Sequence, residues 1–183
     1  MNGSGGMTSF LCSRCGQAHP GTPTVGFSFP IEYLDVPESE RKKRVFLTED
    51  TCVIDDQRFF VRGCLEIPVH GGCDPFIWGV WIAISEEAFF QFQDLLGVDV
   101  RSHHGPFEGR LSSPPRPYPD STHLRVIVRL RDHGIRPFVA LEATSHPLAL
   151  EQRDGISRER VAEIVELMRP RAKRAGDQGV EFA

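Results

Sequence analysis

The densest run of apolar residues lies in the middle of the chain, at residues 58–85. Within it, residues 58–67 alternate apolar with polar side chains, which is typical of a strand with one buried face. Residues 76–84 have no polar face, and this predicts a central strand that is covered on both sides. The link between them, residues 68–75, has the composition of a turn, so the pattern predicts an antiparallel hairpin.

A second hairpin is predicted further along the chain by the same kind of pattern. Residues 124–131 alternate apolar with polar side chains, and residues 136–144 follow them after the turn Asp132-His133-Gly134. Shorter strands are predicted at residues 45–47 and 52–54. The two hairpins together predict one antiparallel sheet.

Helices are predicted after Ser85, from Pro147 onwards and after Ser157, because each of these residues favours a helix start. The first and third of these segments carry a single apolar stripe, which predicts that they pack on the sheet. The fold class is therefore predicted to be α+β, an antiparallel sheet with two or three helices packed on it.

The composition adds limits on the possible partners. The chain has 183 residues and a formal net charge of −4, so it suits one domain and offers no general attraction to nucleic acid or to anionic membranes. We find neither an apolar run near the ~20 residues that span a bilayer nor a secretory signal pattern. We therefore predict a cytoplasmic protein with a flexible leader at 1–9, one globular domain at 10–169 and a disordered tail at 170–183.

The sharpest chemical motif is a Cys-x-x-Cys-Gly sequence that begins at Cys12 and includes Cys15, with His19 four residues further on. Two thiolates at this spacing can converge on one cation, and Zn²⁺ prefers four tetrahedral nitrogen or sulfur ligands. A redox pair is less favoured because that motif belongs at a helix start, whereas this one is followed by Pro20. Residues 10–20 are therefore predicted to be zinc-knuckle-like, with unligated thiols as the alternative.

Four residues are candidates for binding a small ligand. His146 lies between a strand end and a helix start, and it either supports that junction or acts in a site. Glu142 interrupts an apolar strand, so we expect its carboxylate to pair with a neighbouring arginine or to contact a ligand. Gln152 and Arg62 complete the candidate set, which could hold an anion at the helix start.

Four segments, taken together, resemble a bacterial domain-of-unknown-function family, number 2199. These segments are the CxxCGxxH start, DTCVIDDQRFFVRGCLEIPV, DPFIWGVWIAIS and ATSHPLALEQRDGIS. The resemblance implies no activity, because the family itself is uncharacterised. Cys12, Cys15 and His19 supply three of the four ligands that Zn²⁺ prefers. The resemblance implies that Cys52, where the family also has cysteine, is the fourth. It also makes a ligand pair of His70 and Cys73 less favoured, since the family does not require cysteine at position 73.

Three functions from different classes are compared. The leading hypothesis is a bacterial binding or interaction module with a structural Zn²⁺, whose ligands are predicted to be Cys12, Cys15, His19 and Cys52. The alternative is an enzyme or a small-ligand-binding protein with a pocket near His146 and Glu142. We find no nucleophile motif, phosphate-binding glycine loop or His-Glu-x-x-His sequence. Nucleic-acid binding through the arginines of residues 124–131 is a third, less favoured hypothesis.

Overall fold

The computed structural model describes residues 9–11, 18–72, 74–168 and 180–182. Its elements in chain order are β1 (Ser9–Leu11), β2 (Ala18–Pro20), β3 (Thr24–Phe27), a 3-10 helix (Ile31–Asp35), α1 (Glu38–Arg44), β4 (Val45–Leu47), β5 (Thr51–Ile54), β6 (Arg58–Ile67), β7 (Phe76–Ile84), α2 (Glu86–Asp94), β8 (Phe107–Leu111), β9 (Arg125–Arg129), β10 (Phe138–Leu141), α3 (Pro147–Asp154), α4 (Arg158–Met168) and β11 (Val180–Phe182). None of the helices in these ranges is both long enough and apolar enough to cross a membrane.

Five strands close into a barrel in the order β6-β7-β8-β9-β10, because β10 returns to pair with β6. Residues that lie opposite each other in neighbouring strands share a face of the sheet. The inward row consists of buried apolar side chains, among them Val61, Ile82, Leu111, Val128 and Val139. The sheet continues outside the barrel through β3 and β11 on one side and through β5 and β4 on the other.

The predicted fold class, α+β with one antiparallel sheet, is wrong because of the sheet. Both predicted hairpins do form, as β6 with β7 and as β9 with β10. The sheet is mixed, however, and it closes through a parallel pairing of Phe138 with Cys64. An alternating pattern in the sequence indicates which face of the sheet a side chain occupies, but it does not indicate which strands pair with each other. The alternating pattern therefore carried no signal for the closure of the barrel.

Gly63 lies where the barrel closes, and its lack of a side chain permits the closure. A Cβ atom at this position would lie 2.5 Å from Val139 Cγ2 and 3.1 Å from the carbonyl oxygen of Pro137. The amide of the next residue, Cys64, donates to that same carbonyl at 2.7 Å. A glycine in a strand interior is typical of such a close approach between two backbones.

The helices begin where the sequence predicted and pack against the barrel. Ser85 caps α2, because its Oγ accepts from the amide of Ala88 at 3.2 Å. Ser157 accepts from the amide of Arg160 at 3.2 Å in front of α4. Helix α2 packs on β6 through Phe89, whose ring centroid is 5.1 Å from that of Phe59, and α3 contacts β6 and β10.

The chain ends fall largely outside the described residues. The backbones of β1 and β2 form an antiparallel pair around residues 12–17, and these residues, with Cys12 and Cys15, are not among those described. No zinc-knuckle-like segment is therefore seen in the part that the structure covers. The predicted leader at 1–9 and tail at 170–183 lie outside it too, except that Ser9 belongs to β1 and Val180–Phe182 pair with β3.

Candidate ligand cleft beside β6 and α3

A cleft of about 330 Å³ opens beside the strand pair that closes the barrel. The described residues that line it come from β6, the turn after it, β10 and α3, and they are Glu66, Pro68, Val69, Gly72, Asp74, Pro75, Phe138 and Gln152. The lining combines an apolar surface of proline, valine and phenylalanine with two carboxylates and one amide. An apolar wall with a few polar groups is typical of small-ligand sites.

The cleft exists because β10 leaves β6 after a single paired residue. Beyond Phe138, the edge of β10 that faces β6 is bonded by the side chain of Gln152 instead of by a strand. The amide of Leu141 donates to Gln152 Oε1 at 2.8 Å, and Gln152 Nε2 donates to the carbonyl of Val139 at 2.7 Å. Gln152 therefore satisfies two backbone groups that would otherwise lack a partner, and it holds α3 against the barrel.

Glu66 is held in a fixed position at the side of the cleft. Its Oε1 accepts from Arg131 Nη1 at 2.5 Å, and Arg131 Nε donates to the carbonyl of Arg136 at 2.6 Å. The Glu66 side chain is 24% exposed, so its carboxylate is half-buried yet open to the cleft. Among the described residues, none is hydrogen-bonded to the second carboxylate oxygen, which can accept from a ligand.

Asp74 supplies the second carboxylate from the turn that follows β6. Its main-chain carbonyl accepts from Thr22 Oγ1 at 3.1 Å, which ties this turn to the segment before β3. The side chain is exposed. The described lining contains two acidic side chains and no basic one. Arg131 offsets the charge of Glu66, so it is the carboxylate of Asp74 that gives the cleft a preference for a cationic group over an anionic one.

His146, the first candidate from the sequence, caps helix α3. Its Nδ1 accepts from the amide of Leu148 at 3.2 Å, which requires the proton of the neutral ring to be on Nε2. Nε2 is buried, with no hydrogen-bond partner among the described residues. His146 does not belong to the described lining of the cleft, and its hydrogen bond with Leu148 places the ring at the helix start.

Glu142 and Arg62 lie apart from the cleft and from each other. Glu142 pairs with Arg125 at 3.2 Å, with side chains that are 40% and 60% exposed, and this is the arginine partner expected from the sequence. Arg62 is buried on the outer face of β6, with its guanidinium 5.9 Å from the centroid of the Trp81 ring. Of the four candidates, only Gln152 lines the cleft.

Of the four predicted metal ligands, the structure describes the side chain of Cys52 alone. Cys52 is fully buried in the core, and this burial raises the pKa of its thiol to about 12. The side chains of Cys12, Cys15 and His19 lie outside the description. Among the described residues, no group of three or more His, Cys, Asp or Glu side chains is placed to hold a metal.

Sequence reasoning missed Glu66, Asp74 and Phe138. Glu66 appeared as one of several polar residues on the alternating face of a strand, and Asp74 appeared as turn composition. A signal was nevertheless present, because both acidic residues flank one turn that is rich in glycine and proline. Phe138 carried no comparable signal, since its place in the cleft depends on the closure of the barrel.

A polar cluster around Glu151 of α3 was also missed. The Tyr118 hydroxyl donates to Glu151, and Arg160 Nε donates to the other oxygen of that carboxylate at 3.1 Å. Burial, and then the hydrogen bond to Glu151, raises the pKa of Tyr118, so the phenol stays protonated. The cluster joins α3, α4 and the loop after β8, and it does not line the cleft.

Comparison with known proteins identifies the family of this chain. The family described as "Uncharacterized protein conserved in bacteria (DUF2199)" has a model that matches residues 11–156. No curated protein and no solved structure matches the chain. The matched range contains the whole barrel, α3 and every residue that lines the cleft.

Proposed function

The chain belongs to the uncharacterised bacterial family DUF2199, and we propose that it is a binding protein whose site is the cleft beside β6 and α3. The observation that carries this proposal is the cleft itself, in which two carboxylates stand beside an apolar wall. The described residues of its lining supply an apolar wall and hydrogen-bonding groups, which supports the binding of a small ligand.

The ligand that fits this lining is a small organic cation with an apolar body. A protonated amine can donate to the second oxygen of Glu66, which Arg131 already holds in place. Charge-assisted hydrogen bonds of this kind contribute about 1.5–3 kcal/mol each. The ring of Phe138 and the prolines at 68 and 75 would cover the apolar part of the ligand.

Phenethylamine and its neutral analogue 2-phenylethanol test this proposal as a pair. Ligand-observed NMR should show that the protein binds the amine more tightly than the alcohol. Glu66→Gln and Asp74→Asn should each weaken amine binding and leave alcohol binding unchanged. The matched control is Glu142→Gln, which removes an exposed carboxylate that does not line the cleft. Equal binding of the two probes, or equal effects of all three substitutions, would contradict the proposal.

A structural zinc is a separate proposal, supported by the Cys-x-x-Cys spacing of Cys12 and Cys15, with His19 and Cys52 as the further ligands. A cytoplasmic location, where thiols stay reduced, belongs to this proposal. Cys52 is the least favourable of these four ligands, because a fully buried thiol with a pKa of about 12 must lose its proton to bind Zn²⁺. Elemental analysis of protein purified without chelator should find one zinc per chain, whereas protein free of metal would contradict it.

A further inference from the structure

The backbone of Glu66 points towards the cleft. Two hydrogen bonds show which way the backbone groups of alternate β6 residues are directed. The amide of Arg62 donates to the carbonyl of Asp50 at 2.8 Å, and the amide of Cys64 donates to the carbonyl of Pro137 at 2.7 Å. Both bonds leave β6 on the side away from β7. Because this direction alternates along a strand, the amide and the carbonyl of Glu66 point to the same side, where the cleft opens.

Strand β10 stops short of these backbone groups. Within the described ranges, its pairing with β6 ends at Phe138 and Cys64. The next step of a parallel ladder would bring the carbonyl of Val139 to the amide of Glu66. That carbonyl accepts from Gln152 Nε2 instead, at 2.7 Å. The ladder does not continue, and the backbone of Glu66 is left to an occupant of the cleft.

The same edge of the chain is bonded again two residues later. The amide of Ile156 donates to the carbonyl of Pro68, and the amide of His70 donates to the carbonyl of Ile156, both at 2.8 Å. As far as the chain is described, the gap between Cys64 and Pro68 is therefore one residue long. Two residues that face each other in an antiparallel pair exchange two hydrogen bonds, so a gap of this length fits one residue of a peptide.

We propose that the cleft binds the N-terminal residue of a peptide, an inference that rests on the binding function proposed above. The α-ammonium group donates to the second carboxylate oxygen of Glu66 and to the Glu66 carbonyl. The carbonyl of the same ligand residue accepts from the Glu66 amide. One ligand residue thus bonds to the side chain and the backbone of Glu66 together, and its apolar side chain lies against Phe138.

The charge of the cleft favours a peptide over an unmodified amino acid. An amino acid would bring its own carboxylate near that of Asp74, and like charges repel. In a peptide the same position carries a neutral amide, whose carbonyl can still accept a hydrogen bond. A simple amine has no carbonyl and leaves the Glu66 amide without a partner. Affinity should therefore fall from L-phenylalaninamide to phenethylamine to L-phenylalanine.

Ligand-observed NMR at pH ~6, where all three amines are charged, tests this order. L-Phenylalaninamide should bind about three- to tenfold more tightly than phenethylamine, because it adds one hydrogen bond. The D-enantiomer is the matched control and should lose this gain, since the same groups then turn the side chain away from Phe138. If neither amine binds, the proposed function fails as well. If phenethylamine binds as tightly as L-phenylalaninamide, the peptide inference alone is overturned.

Two modified ligands identify which end of the peptide is bound. N-acetyl-L-phenylalaninamide lacks the ammonium group and should bind at least about tenfold more weakly than L-phenylalaninamide. The dipeptide L-phenylalanyl-L-alaninamide keeps that group and should bind no more weakly. Unchanged binding after acetylation, or loss of binding on extension to the dipeptide, would overturn the assignment to a peptide N-terminus.

Hydrogen exchange of the Glu66 amide tests the backbone contact itself. Saturating L-phenylalaninamide should slow the exchange of this amide, whereas saturating phenethylamine should not. The Leu141 amide, which already donates to Gln152 Oε1, is the internal control and should exchange at the same rate with either compound. A Glu66 amide that exchanges equally fast with both compounds bound would overturn the proposal, even if the cleft binds them.

Discussion

The two edges of β6 differ in how completely they are paired. On one edge, nine consecutive residues from Phe59 to Ile67 pair with β7. On the other edge, β5 pairs with residues 58–61, β10 pairs through Cys64 alone, and Gln152 of α3 bonds to the rest of the β10 edge in place of β6. The fully paired edge leaves no space between its strands. The cleft lies at the open edge, where a side chain replaces a strand, so the feature that completes the barrel also creates the candidate site.

The largest expected effect comes from breaking the packing of the fully paired edge. Trp81 in β7 is fully buried, and its Nε1 donates to the carbonyl of Phe27 at 2.9 Å. Trp81→Ala should lower the free energy of unfolding by about 3–5 kcal/mol, because it leaves a large cavity and an unbonded carbonyl. Urea unfolding measures this loss, and Val100→Ala, at a residue that is 56% exposed, serves as a control that should change little.

A smaller loss of stability is expected from a substitution at Gly63, where the open edge begins. Gly63→Ala would place a Cβ atom 2.5 Å from Val139 Cγ2, so the strands must separate, at a cost of about 1–3 kcal/mol. Gly97→Ala is the matched control, since no atom lies within 4 Å of the Cβ position there. If the two alanine variants unfold at the same urea concentration, the close approach at Gly63 is not what closes the barrel.

Loss of the Gln152 side chain is predicted to destabilise the open edge only, where it bonds to β10. Gln152→Ala leaves the carbonyl of Val139 and the amide of Leu141 to water, so we expect a loss of about 1–2 kcal/mol. The specific readout is faster hydrogen exchange of the Leu141 amide with unchanged exchange between β6 and β7. Gln91→Ala on α2 is the control. Uniformly faster exchange in both edges would contradict a local role for Gln152.

Low pH should destabilise the protein at Asp55, in the turn that leads into β6. Hydrogen bonds from Arg44 and then from Arg58 lower the pKa of Asp55 from 3.8 to about 2. The pKa of Asp55 is lower in the folded protein than in the unfolded chain. The stabilisation from Asp55 is therefore complete above pH ~4 and is lost as the pH falls towards 2. Melting temperatures measured across this range should fall less steeply for Asp55→Asn than for the unchanged protein. Parallel curves would contradict the assignment.

The smallest effect is expected at Glu142. Because its ion pair with Arg125 is exposed, Glu142→Gln should change the free energy of unfolding by less than about 0.5 kcal/mol. Urea unfolding of the two single variants and the double variant with Arg125→Gln would measure the coupling. A coupling above about 1 kcal/mol would show that this pair contributes more than its exposure implies.

Local signals in the sequence predicted the elements well and their arrangement poorly. The strands at 58–67 and 76–84 and the caps at Ser85 and Ser157 depend on neighbouring residues, and each was confirmed. The parallel pairing of Phe138 with Cys64 joins residues 74 positions apart, and no local pattern encodes it. Gly63 was the available hint, as a glycine inside an apolar strand.

The candidate site shows the same limit. Gln152 was selected from its position at a helix start, and the structure places it in the cleft wall, where its amide bonds to β10. His146 was selected for the same reason and caps the helix instead. The difference depends on which side of α3 meets the open edge, and this follows from the closed barrel, which the sequence did not reveal.

The most direct test of the central claim is an NMR titration of ¹⁵N-labelled protein with phenethylamine. If the cleft at the open edge is the binding site, saturable shifts should appear at residues 66–72, at 138–141 and at Gln152, and the amides shared by β6 and β7 near Val61 should not move. Saturable shifts centred on His146 and Glu142, or no saturable shift at any residue, would contradict the claim.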